Sequence, residues 1–298
     1  MNTFTRVDGC VLHVMGGFRD QLLASRASVT PRPDWTDNDY QSAAETKRKR
    51  LKRLVTSLNK WGPNVNGARV LDVGCGDGAN CVLLAIEERI KFAVGIDLAL
   101  PLLAEHERRA RTARLLSIIR SGRIDLPVLF AVMDGTKMAF VDDSFDVVLS
   151  RSVMEHIQPI DQALAEMVRV TRPGGLIYLG IDPFFWLRGC HKRGVVDIPW
   201  AHARLSLEEF EYFVALTEGT DVARKRRTRL ETLNRLTVTE WRERFEKCGC
   251  EILDWQLKPS QRGEQLLAEH PEIEGTLLPG VSRVDLLTER IEVWLRKR

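Results

Sequence analysis

The 298-residue chain is 44% hydrophobic and 29% charged, with 44 basic against 41 acidic side chains for a formal charge of +3. That length and apolar content suffice for one large core, or a core with an appended helical piece, and exclude disorder as the default. The near-balanced charge gives no global drive toward nucleic acid or an anionic membrane, so either partner would have to be recognised by local clusters.

In chain order, residues 1 to about 30 show little periodicity and read as a loosely attached extension, broken by Pro31, Pro33 and Asp34. From Ser42 to Trp61, Leu51, Leu54, Val55 and Leu58 recur at helical spacing, while Lys47, Arg48, Lys49, Arg50, Lys52 and Arg53 fill much of the remainder. The pattern predicts an amphipathic helix with a basic face, stopped by Gly62 and Pro63. Beyond Gly67 short apolar runs alternate with helical stretches, which predicts a doubly wound α/β fold: a mostly parallel sheet with helices on both faces. Strands are expected at Arg69 to Val73, Phe92 to Ile96, Val128 to Val132, Phe145 to Leu149 and Leu176 to Gly180. Helices are expected at Ala79 to Ile90, Leu102 to Ile119 and Asp161 to Thr171, the last capped by Asp161 and ended by Pro173-Gly174-Gly175. A long aromatic and charged insertion then occupies residues 182 to about 236. The alternation resumes with a helix near Thr239 to Lys247, a strand near Glu251 to Gln256 and a final strand near Arg290 to Leu295. The chain thus divides into an N-terminal extension and helix (1–66), a core (67–181), the insertion (182–236) and the rest of the core sheet (237–298).

Six cysteines, at positions 10, 75, 81, 190, 248 and 250, include no CxxC pair. They read as reduced thiols of a cytoplasmic protein, and Cys190 beside His191 and the Cys248-Gly249-Cys250 run as packing residues rather than metal ligands. No charged leader runs into an apolar segment, and no apolar stretch approaches the roughly 20 residues that span a bilayer.

The stretch Val70-Leu71-Asp72-Val73-Gly74-Cys75-Gly76-Asp77-Gly78 puts three alternate glycines where a buried strand turns into a helix. Glycine reaches positive φ cheaply and lets peptide groups touch a ligand directly, so Gly74 and Gly76 are candidate ligand contacts. The glycines alone also fit a nicotinamide cofactor, through Gly74-x-Gly76-x-x-Ala79. Asp72, at the strand end, is placed to anchor the loop and face a cationic ligand, and Asp97, ending the next strand, to accept the two hydroxyls of a ribose.

These residues in this order resemble the class I S-adenosylmethionine-dependent methyltransferases, of the bacterial small-molecule type. The glycine turn is similar to their first motif and Asp97 to their ribose-binding acid. Ala131-Val132-Met133-Asp134-Gly135 resembles the segment whose aspartate meets the adenine amino group. Phe145-Asp146-Val147-Val148-Leu149-Ser150 followed by Met154-Glu155-His156-Ile157 resembles their fourth motif, and Val170-Thr171-Arg172-Pro173-Gly174-Gly175-Leu176 the turn before their fifth strand. The resemblance implies S-adenosylmethionine as cofactor and a Rossmann-like sheet of seven strands with the last antiparallel. Leu98 and Met133 would then sandwich adenine, Asp134 would accept from its amine beside Gly135, and Ser150 and Arg151 would complete the donor pocket.

An oxygen acceptor would profit from a general base, for which histidine is suited. His156, after the fourth strand, and His202, in Ile198-Pro199-Trp200-Ala201-His202 of the insertion, are the catalytic candidates, with His191 and Asp182 behind them. Pro183, Phe184, Phe185, Trp186 and Trp200 could line a pocket for a small-molecule acceptor such as a sugar or specialised metabolite, or pack the insertion's core. The basic helix is expected to act as a lid over the donor, or as a homodimer contact. Together with a second basic run, Arg224-Lys225-Arg226-Arg227-x-Arg229, it permits an RNA-modifying enzyme, although solvated helix faces explain the charges better. A non-catalytic binding partner is the alternative from another class, expected to show an apolar patch where an acceptor cleft should be.

Overall fold

The computed structural model describes residues 2–24, 29–62, 65–192 and 194–298, without the side chains of Cys190 and His191, so Pro63 and the His191 imidazole lie outside the described residues. The N-terminal extension is not loose. It forms a hairpin of β1 (Thr3–Thr5) and β2 (Val11–His13) followed by helix α1 (Phe18–Leu23). Phe4, Leu12, Phe18 and Leu22 are buried against the insertion. A period too short to register over three-residue strands hides those anchors from a pattern reading.

Helix α2 spans Asp37–Trp61, five residues longer at its start than the apolar spacing predicts. Thr36 caps it reciprocally: its hydroxyl accepts from Asp39 N, and Asp39 Oδ2 accepts from Thr36 N at 2.8 Å. Tyr40, Ala43, Ala44, Leu51, Val55 and Leu58 bury one side of this helix in a core shared with the sheet, which makes it a layer of the fold.

Seven strands form the main sheet: β3 (Arg69–Val73), β4 (Phe92–Asp97), β5 (Val128–Val132), β6 (Phe145–Arg151), β7 (Thr171–Ile181), β8 (Cys250–Pro259) and β9 (Thr288–Lys297). Their order is β5-β4-β3-β6-β7-β9-β8, with β9 antiparallel to both neighbours and the other pairings parallel. The near-continuous apolar runs of the inner strands follow from burial on both faces. Helices α3 (Ala79–Glu87) and α4 (His106–Arg120) join α2 on one face. Helix α5 (Ile160–Val170) and a later helix at Val238–Lys247 cover the other. Pro159, not Asp161, is the N-cap of α5; Asp161 sits in its first turn, where a carboxylate favours the helix dipole.

The insertion folds into short helices α6 (Gly189–Lys192) and α7 (Ala201–Arg204) and a pair, α8 (Leu207–Glu218) and α9 (Thr220–Glu231). Its apolar side packs on the N-terminal hairpin and on residues between β8 and β9, which the sequence pattern left unassigned: helices at Gln261–Glu269 and Arg283–Leu287 with a 3-10 turn at Pro271–Thr276. Three separate stretches thus make one apolar cluster beside the sheet.

Candidate active site

The sheet reverses its winding between β3 and β6, and a crevice opens at the carboxyl ends of the strands flanking that point, where open α/β sheets take ligands. Here it is a cleft of about 900 Å³. Gly74, Gly76, Asp97, Leu98, Met133, Asp134, Gly135, Arg151 and His156 all line it. The structure therefore brings together most of the residues singled out from sequence, drawn from four strand ends.

The three loop glycines serve different needs. All have positive φ: 74° at Gly74, 55° at Gly76 and 77° at Gly78. A Cβ on Gly74 would collide with Val153, and one on Gly78 would lie 2.5 Å from the Phe130 ring, so these two permit close packing. A Cβ on Gly76 would meet nothing within 4 Å. Its Cα faces open cleft, which is the cradle a ligand's approach to backbone requires.

Asp97 Oδ2 accepts from Gly76 N at 2.9 Å and Oδ1 from Ala99 N at 3.0 Å. A carboxylate offers about four lone-pair sites, so each oxygen keeps capacity for a ribose hydroxyl. Asp134 Oδ1 takes both the backbone N and the hydroxyl of Thr136 at 2.8 Å, which fixes the carboxylate with Oδ2 left for an amine. Leu98 is 70% exposed on the cleft wall, as is fitting for a face that a flat ring would cover. These features fit the adenosine of S-adenosylmethionine.

Two of the expected donor contacts stand behind the wall instead. Asp72 is 1% exposed and absent from the cleft lining; it accepts from Asn80 Nδ2 at 3.2 Å, and Asn80 is the residue that reaches the cleft. Burial, the largest cause, with lesser contributions from the Asp77 and Asp97 charges, pushes the Asp72 carboxyl up to about 7 against the pull of Asn80 and Lys47. Ser150 is fully buried and donates to Val73 O at 3.0 Å, tying β6 to β3. A residue two before the turn and one before the strand end necessarily points to a sheet face, not out of its edge.

Lys47 was missed as a site residue. It reaches from α2 to Asp77 Oδ2 at 2.8 Å, pinning the glycine loop, and with Arg50 lies on the cleft. The signal was there in the three-residue spacing of Lys47 and Arg50, which puts both on one helix side.

On the acceptor side His202 is overturned as a catalytic base. It is 5% exposed and outside the cleft, with Nε2 2.9 Å from Trp186 O and Nδ1 3.4 Å from Gly194 O. Burial lowers its pKa to about 4, outweighing the carbonyl contacts. A Cβ on either Gly189 or Gly194 would lie 2.7 Å from its ring, so the imidazole is a packed core group. Phe184, Phe185, Trp186 and Trp200 are likewise buried, three of them in the insertion's cluster, and none lines the cleft. His156 is exposed on the cleft wall, and Asp182 and Lys192 are the described insertion residues that reach it.

The second basic run is partly paired within the fold. Arg227 pairs with Glu208, Glu211 and Glu231, and Arg226 with Glu218, so α8 supplies most of the counter-charge to α9. In α2, Arg48 pairs with Glu87 and Lys49 with Glu45. Among the described residues no helix is long and apolar enough to cross a membrane.

A seven-stranded sheet with one antiparallel strand, holding a glycine turn and two cleft-lining carboxylates at its switch point, defines a Rossmann-like core of the methyltransferase kind. Residues 71–179 of that core match the family described as a methyltransferase domain, which supports a class I S-adenosylmethionine-dependent methyltransferase. The chain is 34% identical over 156 residues to demethylmenaquinone methyltransferase of Renibacterium salmoninarum, covering 52% of this chain and 56% of that protein. It is 31% identical over 117 residues to norajmaline N-methyltransferase of Rauvolfia serpentina, covering 39% and 37%. The matched region spans about half the length of the first relative and less of the second. Among solved structures, a candidate sarcosine dimethylglycine methyltransferase from Galdieria sulphuraria superimposes with a TM-score of 0.50 at 14% identity, covering 86% of each chain, a likeness of fold alone.

Proposed function

We propose that this protein transfers a methyl group from S-adenosylmethionine to an oxygen of a small-molecule acceptor. The observation that carries the reading is the convergence of the open Gly76 cradle, Asp97 and Asp134 on one cleft whose other wall presents His156.

When bound, S-adenosylmethionine would supply a sulfonium methyl for in-line transfer to the acceptor oxygen, with the S–C electron pair left on sulfur. The protein's share is placement and charge. Asp97 and Asp134 hold the nucleoside, and the loop pinned by Lys47 and Asp77 fixes the end of the cleft where reaction occurs. Alignment of two reactants in one cleft is worth up to ~7–11 kcal/mol of the barrier in favourable systems. His156 takes the hydroxyl proton as the O–C bond forms, a service an uncharged amine acceptor needs less, and its exposure on the cleft supports oxygen over nitrogen. An open cleft, rather than an apolar patch, supports an enzyme over a binding-only partner. The five described cysteines are free thiols, which supports a reducing compartment such as the cytoplasm.

Calorimetric titration with S-adenosylmethionine, S-adenosylhomocysteine and nicotinamide dinucleotide tests the donor half. Binding of the first two is expected, and binding of the dinucleotide alone would end the proposal. For the acceptor half, S-adenosylhomocysteine release is measured across hydroxylated and aminated small molecules. Turnover confined to amines would move the methylated atom to nitrogen.

A further inference from the structure

The acceptor wall of the cleft is built of charge rather than of aromatic rings, and its charges do not balance. Arg151 ends β6, Asp182 follows β7, and Arg290 lies near the start of β9, whose antiparallel course brings it to the carboxyl ends of the other two strands. All three line the cleft. Arg151 is registered opposite Gly180, where a Cβ would lie 3.3 Å from Arg151 Cγ, 3.4 Å from Arg290 Nη1 and 2.9 Å from Tyr178 Oη. The missing side chain at Gly180 is what lets two arginine stems lie side by side over the strand.

Arg290 is held in place: Nη2 meets Asp182 Oδ1 at 2.6 Å, and Nη1 and Nη2 lie 3.5 and 3.4 Å from Ser152 Oγ. Arg151 is half-buried, yet among the described residues its guanidinium has no hydrogen-bond acceptor and no carboxylate at ion-pair distance. Burial first, then the like charge of Arg290, holds its pKa below the usual arginine range. It stays charged regardless, because a guanidinium does not deprotonate in working conditions. Glu292, the other nearby acid, is engaged by Lys258 at 2.6 Å. Two guanidinium groups therefore share one carboxylate in a partly dry cleft. Such an excess is costly unless an anion arrives to match it.

We propose that Arg151 and Arg290 receive an oxyanion carried by the methyl acceptor, a carboxylate or a phosphate monoester, with Asp182 and Ser152 positioning Arg290. The proposal rests on the methyl-transfer reading of the same cleft and narrows its acceptor to anionic small molecules. The planar fork of each guanidinium suits either oxyanion through paired N–H donors. Sugars and neutral phenols would leave the excess charge unmatched.

The test is calorimetric titration of the full chain, saturated with S-adenosylhomocysteine, using three probes of related shape: benzoate, phenyl phosphate and benzyl alcohol. At least one anion should bind about tenfold or more tightly than the alcohol, the scale of a charge-assisted hydrogen bond, and the preferred anion separates carboxylate from phosphate. R151Q, and the double variant D182N/R290Q that removes a cation with its own carboxylate, should each lose that preference while keeping S-adenosylhomocysteine affinity. Should R151Q fail to fold, R151M, which removes the charge and keeps the apolar stem, carries the same comparison. The proposal is overturned if no anion outbinds the alcohol, or if the variants bind anions as the parent does. It is also overturned if the variants lose S-adenosylhomocysteine instead, for the arginines would then serve the donor. A parent that binds no S-adenosylhomocysteine would sink the methyl-transfer reading first, and this proposal with it.

Discussion

Alanine at Gly76 and at Gly74 should damage the protein in different ways, although the two positions are two residues apart and share a left-handed backbone. At either, an alanine in that conformation costs about 1–2 kcal/mol. A stiffer unfolded chain returns about 0.4–1 kcal/mol of this. The net loss for Gly76→Ala is therefore about 1 kcal/mol, since its new methyl meets nothing within 4 Å. Gly74→Ala adds the collision with Val153, an overpacking of about 1–3 kcal/mol, for a total of about 2–4 kcal/mol. On the proposed reading the donor's backbone contact falls in the open space at Gly76, so its methyl should weaken S-adenosylhomocysteine binding by about tenfold or more, or ~1.4 kcal/mol. Urea unfolding measures the first pair of numbers and calorimetric titration the second. Unimpaired binding by Gly76→Ala would refute the cradle, and equal stability of the two variants would refute the Val153 contact.

Asp97→Ala should lower donor affinity by about 1–3 kcal/mol, and an unchanged dissociation constant would place the ribose elsewhere. His156→Ala should cut turnover about 10²- to 10⁴-fold at an unchanged melting temperature. His202→Ala should cost about 2–4 kcal/mol of stability as a buried truncation, without touching the reacting groups; the opposite pattern would exchange their roles. Two buried groups should also oppose each other in acid. His202 falls from 6.5 to about 4, so its contribution is whole above 6.5 and lost as pH drops through 4, while Asp72 rises from 3.8 to about 7, so its contribution is whole below 3.8 and lost as pH climbs through 7. Each is worth about 3–4 kcal/mol at 1.36 kcal/mol per pH unit. Denaturation from pH 4 to 7 should therefore show stability rising with pH in Asp72→Asn and falling in His202→Gln, and matching slopes in the two variants would contradict both assignments.

The parts of the site that sequence disclosed are those whose chemistry is local. A glycine turn, a strand-end acid and the Met133-Asp134-Gly135 segment each carry their own backbone geometry, and the strands fall where apolar runs predict them within a few residues. Face assignment is a finer matter. Asp72 and Ser150 sit inside strands, so alternation turns them into the sheet's packing layers, and Asn80 of α3 takes the cleft position in place of Asp72. The hairpin of residues 3–13 and the helices at 261–287 escaped because each is anchored by a few apolar residues in contact with distant chain. The aromatic insertion misled for the same reason: a residue that fills a core and one that stacks on a ligand are the same in composition, and only burial separates them.

The two walls of the cleft also differ in how the chain specifies them. The donor wall comes from consecutive turns of the parallel half, each following its strand by a few residues. The acceptor wall depends on the one antiparallel strand: because β9 enters the sheet from the carboxyl end, Arg290 arrives beside Asp182 and Arg151 without any motif joining them. Gly180 makes the juxtaposition possible, and in sequence it is only a strand glycine. A change of register by one residue in β9 would send Arg290 to the opposite face and abolish the cationic pair while leaving the donor loop intact. On the proposed reading, donor binding and acceptor choice should thus be mechanically separable in this fold. Acceptor specificity should accordingly follow substitutions at 151, 180, 182 and 290 more closely than any among the aromatic residues of the insertion.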